Sequence, residues 1–189
     1  EDCRVLKYLN LYKPLHLGID FGNMCSLSVA QEDRVQGREC LRVLKFLHTL
    51  APEYLVELGE KFRNYFAPMQ NKTVHLFYDR AGNSYKMVQK DQATEFKRAI
   101  ERDKDGKRTG WTVILESIGQ GNIGQPEEYD FMLKLLSGSN PRPPIILIDY
   151  YAARHLRQSL DGARPTIKSG VVFKDKRSEQ LPIDQLPSQ

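Results

Sequence analysis

Between residues 52 and 161 the chain alternates helical with extended periodicity, and this alternation narrows the available folds more than any other feature. A strand, a helix and a further strand in succession return the second strand alongside the first in the same direction, so the order calls for parallel pairing with helices against the sheet. Residues 52–66 place Leu55, Leu58, Phe62, Tyr65 and Phe66 at spacings of three and four, an amphipathic helix that Pro68 ends. The strand 73–79 (TVHLFYD) follows. Asp91 is placed to cap a helix with the buried stripe Ala93, Phe96, Ala99 and Ile100, and 111–116 (WTVILE) reads as the next strand. Pro126 opens a helix expected to turn Tyr129, Met132, Leu133 and Leu136 inward and to stop at Gly138. The continuous apolar run 144–150 (PIILIDY) predicts a strand covered on both faces, and a last helix carries Ala153, Leu156 and Leu160 as far as Gly162.

Ahead of this alternation lie three extended segments. In 15–21 (LHLGIDF), Leu15, Leu17, Ile19 and Phe21 fall on one face and His16, Gly18 and Asp20 on the other. The segments 25–31 (CSLSVAQ) and 40–47 (CLRVLKFL) follow after short connections, which favours an antiparallel meander. The strands 15–21 and 73–79 each carry an aspartate near the C-terminal end, Asp20 and Asp79. Ligands of open α/β sheets collect beyond the carboxyl ends of strands, so these two strands, if adjacent, would gather two carboxylates in one crevice. Such a pair repels itself unless a cation lies between, and hard oxygen donors suit Mg²⁺ or Mn²⁺. A strand-end aspartate also serves the turn that follows it, so either residue alone has an ordinary structural role.

With 189 residues the chain has room for one sizeable core, preceded by a lead-in over 1–14 and followed by a polar tail over 174–189. Its net charge of +4 fits a nucleic-acid surface without the strong excess of a histone-like binder. Cys3, Cys25 and Cys40 have neither a metal-ligand spacing nor an even count, which points to a reducing cytoplasm rather than a disulfide framework. No apolar run reaches the ~20 residues that span a bilayer, so a membrane partner is not expected.

Three strands in a meander and then alternating helices and strands resemble the ribonuclease H-like fold, in which the first strand lies beside the first strand after the crossover. In that fold these neighbours carry the principal metal-binding carboxylates, here Asp20 and Asp79. The segments LGIDFGN (17–23), YDRAGNS (78–84) and KDKRSE (174–179) further resemble the C-terminal nuclease domain of the large terminase subunit of tailed bacteriophages and prophages. The resemblance implies a nuclease domain over 15–173 that cleaves concatemeric double-stranded DNA with two Mg²⁺ or Mn²⁺ ions. It also implies a terminase ATPase domain, a small terminase subunit and a portal as partners, in a bacterial host cytoplasm. The family's third aspartate follows the KDKRSE-like segment in an element this sequence does not contain, and Asp175, Asp149 and Glu116 are the substitutes it offers. A phosphate-cradling G-x-x-x-x-G-K-[ST] loop is also missing, since Gly106-Lys107 is followed by Arg108.

Arg80, Lys174, Lys176 and Arg177, with the cluster Lys104, Lys107 and Arg108, are candidates for neutralising backbone phosphates; for the latter cluster a solvated charged turn is the simpler account. His16 and His75 each precede an aspartate by four residues on one strand face, as a proton carrier or as interior histidines. GIDFGN also resembles the first phosphate loop of the actin, Hsp70 and sugar-kinase superfamily, whose two lobes need about twice this length. A Holliday-junction resolvase shares the carboxylate logic, and a catalytically inactive DNA-binding or docking module is the non-enzymatic alternative.

Overall fold

The computed structural model describes residues 1–21, 24–50, 54–79, 91–121, 124–137, 144–162, 165–168 and 171–174. Contacts gather the chain into two compact units, Glu1–Gln31 with Val43–Asn122, and Glu32–Arg42 with Ile123–Gln189. The sheet has six strands in the order β5-β4-β1-β2-β3-β6. These are β1 (Leu15–Asp20), β2 (Met24–Val35), β3 (Arg38–Leu50), β4 (Thr73–Tyr78), β5 (Thr112–Leu115) and β6 (Ile145–Ile148). The antiparallel meander followed by parallel strands is a ribonuclease H-like arrangement, as the order of elements implies.

β1 pairs antiparallel with β2, Leu17 opposite Val29 and Asp20 opposite Ser26. It pairs in parallel with β4, Leu17 beside Leu76 and Ile19 beside Tyr78, and β4 in turn pairs in parallel with β5. One face of this sheet is closed. Leu15, Leu17, Ile19, Leu27, Val29, Val74, Leu76 and Val113 are all buried there, as the period-2 pattern of β1 and β4 requires.

Helices α1 (Leu55–Tyr65) and α2 (Gln92–Glu101) pack against each other in the same unit and bury Leu55, Leu58, Phe62, Ala93, Phe96 and Ile100. Their approach is so close that a Cβ on Gly59 would stand 2.8 Å from the Ala99 Cβ, so glycine is required there. Phe62 meets Trp111 with ring centroids 5.0 Å apart. Asp91 caps α2 as its position predicts, accepting the Ala93 amide at 3.2 Å. Lys97 donates to the Val113 carbonyl at 2.6 Å and Glu101 accepts the Val113 amide at 2.9 Å, so α2 holds β5 through side chains as well as packing.

The lead-in is tied down. Gln31, buried in β2, accepts the Asn10 amide and donates to the Asn10 carbonyl, both at 2.9 Å. Cys3, Cys25 and Cys40 are buried, and burial, with the charge of Asp2 second, pushes the Cys3 thiol up to about 11.

Several expected boundaries move. β2 and β3 run well past the apolar segments 25–31 and 40–47, turning at Gln36 and Gly37, which have φ of 51° and 80°. Two positive φ values in a two-residue loop match the twist of a hairpin, which lets the ribbon continue through the charged residues 32–34. Helix α3 (Gln125–Ser137) forms at Pro126 as expected, while Gly138, expected to stop it, lies outside the described residues, and Leu133 and Leu136, expected inward, are 51 % and 48 % exposed. β6 is half-exposed along its length instead of covered on both faces. Helix α4 (Arg154–Gly162) follows the buried Ala153. A hairpin of β7 (Pro165–Lys168) and β8 (Val171–Lys174) then occupies a stretch that composition alone makes look merely polar.

Candidate functional site at the ends of β1 and β4

Asp20 is the last residue of β1, and Asp79 comes directly after the last residue of β4. Because Ile19 and Tyr78 are register partners on neighbouring parallel strands, the two aspartates occupy equivalent positions one step further on. Both are exposed. Parallel pairing therefore brings two carboxylates, 59 positions apart in sequence, to one end of one sheet.

The strand face carrying Asp20 differs from the closed one. Gly18, His16, Ser26 and Ser28 share it by alternation and register, with His75 and Phe77 on β4 and Ile114 on β5. Phe77 and Ile114 are 41 % and 42 % exposed, and a Cβ added to Gly18 would meet no atom of the described residues within 4 Å. Among the described residues, none fills the space beside Asp20 on that face.

His16 and His75 do not join the aspartates. At ~3.3 Å per residue a strand carries a residue four positions back about 13 Å away, too far to share an ion or pass a proton directly. The two imidazoles instead stack on each other, centroids 5.1 Å apart and planes 16° from parallel. His75 Nδ1 lies 2.7 Å from Glu116 Oε1, and since a carboxylate only accepts, Nδ1 carries the proton in that contact.

The substitutes for a third carboxylate separate clearly. Glu116 is engaged with His75. Asp149 accepts the backbone amides of Tyr151 and Ala152 at 3.0 and 2.7 Å, the turn-forming role open to any strand-end aspartate. Asp175 lies outside the described residues, as do Arg80, Lys176 and Arg177. Lys174, expected in a tail, is the last residue of β8 and pairs with Pro165. In the 104–108 turn Lys104 pairs with Glu60 at 3.1 Å and the Asp103 carboxylate accepts the amides of Asp105 and Lys107, so the turn has a structural account of its own.

Among the described residues, no three of His, Cys, Asp and Glu are grouped to hold a metal ion. Asp20 and Asp79 supply two exposed hard-oxygen donors, a set that suits Mg²⁺ or Mn²⁺, ions that retain several waters when few carboxylates bind them.

One residue at this end of the sheet escapes sequence inspection. Ser117, directly after 111–116, accepts the Tyr78 amide on its Oγ at 3.0 Å. The only sequence signal is its place just past a strand, which means nothing until the β4–β5 register is known.

No family model, no curated protein and no solved structure matches this chain. No helix among the described residues is long and apolar enough to cross a membrane.

Proposed function

We propose that the protein is a divalent-metal-dependent DNA endonuclease of the kind found in the large subunit of phage terminases, cleaving concatemeric double-stranded DNA during genome packaging in a bacterial cytoplasm. The observation that carries this reading is the parallel β1–β4 pairing, which sets Asp20 and Asp79 at adjacent carboxyl ends of a ribonuclease H-like sheet. Both aspartates would hold Mg²⁺ or Mn²⁺. When bound, such ions supply a water of lowered pKa and charge opposite the leaving 3′ oxygen. The chain's own share is position and charge: the carboxylates would fix where the ions stand, and the space that the described residues leave over Gly18 gives a phosphodiester backbone room to reach them.

Arg80, Lys174, Lys176 and Arg177 would neutralise backbone phosphates without reading bases, which suits cleavage of unrelated sequences. A terminase ATPase domain, the small subunit and a portal are the partners this reading assigns.

The test is plasmid nicking in Mn²⁺. Asp20→Asn keeps the side-chain shape and removes the charge, so nicking should fall to background, and Asp79→Asn should do the same. Undiminished nicking by either variant sinks this reading. A strong preference for four-way junctions over linear duplex would replace it with a resolvase.

A further inference from the structure

Ser117 is 7 % exposed and, with Gln31 and Thr49, makes up the buried polar side chains among the described residues. The other two have plain structural tasks: Gln31 ties down the lead-in, and Thr49 donates its hydroxyl to the Tyr54 carbonyl at 3.3 Å. Ser117 is placed differently. In a parallel ladder the N–H and C=O of one residue point to the same side, and residues two apart repeat that direction. The Leu76 carbonyl accepts the Glu116 amide at 2.9 Å, so Leu76 faces β5 and Tyr78, two residues on, faces that way too. β5 has by then ended, at Leu115. The Ser117 hydroxyl stands where the next ladder carbonyl would have been and takes the Tyr78 amide instead. The residue after Tyr78 is Asp79.

We propose that Ser117 is a positioning residue for Asp79, extending the hold on β4 beyond the end of β5 so that this carboxylate is presented to a divalent ion from a fixed backbone; the inference rests on the nuclease reading above. Without the hydroxyl, the Tyr78 amide loses the hydrogen bond that continues the ladder past β5, and the hold on the backbone leading into Asp79 is weakened.

Mn²⁺ alone is the probe, titrated into the 189-residue chain with free ion read by electron paramagnetic resonance. Ser117→Ala should weaken Mn²⁺ binding by about tenfold, the low end of what loss of an outer partner of a metal ligand costs. Ser117→Cys, a poor acceptor of similar size, should weaken it likewise and takes the place of the alanine variant if that one does not fold. Thr49→Val removes another buried hydroxyl, remote in sequence from Asp79, and should lower the melting temperature without changing Mn²⁺ affinity. Wild-type affinity in the folded Ser117 variant, or an equal loss in Thr49→Val, overturns the proposal. If Asp20→Asn also binds Mn²⁺ as the wild type does, the carboxylate site itself fails and the role of Ser117 falls with it; if only Asp20→Asn loses binding, the site stands and Ser117 alone is refuted.

Discussion

Leu17 and Gly18 are neighbours in one strand and belong to two different surfaces. Leu17 is fully buried beside its register partners Val29 and Leu76, whereas Gly18, between Ser28 and Phe77, faces space that no described residue fills. The closed face holds the unit together by apolar burial, and the open face carries the aspartates. Opposing demands are thus met within six residues, since consecutive side chains of a strand point to opposite sides. A change on one face should reach stability and a change on the other should reach function.

The largest effect on stability is expected from Phe96→Ala on the closed side. Phe96 is fully buried in α2, and its loss should cost about 3–5 kcal/mol in denaturant unfolding. A cost below ~1 kcal/mol would mean that the closed face is not the core it is taken for here.

Asp20→Asn should shift unfolding free energy by less than ~1 kcal/mol while removing nicking, because an exposed strand-end carboxylate contributes little to packing. A large destabilisation would mean that Asp20 serves the fold, and the contrast between the faces would then break.

The smallest expected change is Gly18→Val. No described residue stands within 4 Å of the added Cβ and valine suits an extended backbone, so stability should be unchanged or rise by up to ~1 kcal/mol. DNA cleavage should fall, because the new side chain fills the space beside Asp20. A folded valine variant with full activity would show that the substrate approaches from elsewhere.

Legibility in the sequence follows the same division. α2 was readable to the residue, because Asp91, Ala93, Phe96, Ala99 and Ile100 encode cap and buried stripe locally. β1 and β4 were readable because one covered face gives clean alternation, and the order of elements implied their adjacency. The β2–β3 ribbon is longer than its apolar pattern, since beyond Gln31 its side chains have mixed exposure and its continuation depends on the Gln36-Gly37 turn. In α3 the apolar stripe overstates burial: an apolar side chain at helical spacing says what burial would gain, not whether a neighbour is there to provide it, and Leu133 and Leu136 stay exposed. At the site, the two aspartates were visible as residue types in equivalent places. Ser117 and the engagement of Glu116 by His75 depend on strand register, which a single sequence does not print.

The grip of α2 on Val113 has a consequence for how the molecule behaves among its copies. β5 is the outermost strand on its side of the sheet, and Val113, opposite in direction to the residues bonded to β4, points its amide and carbonyl outward. An outermost strand with free groups is a template on which another chain can add a strand and begin aggregation. Here Glu101 occupies the amide and Lys97 the carbonyl, so an incoming strand would have to displace two charge-assisted hydrogen bonds before making its own. Two helical side chains thus act as a stopper on lateral growth of the sheet beyond β5.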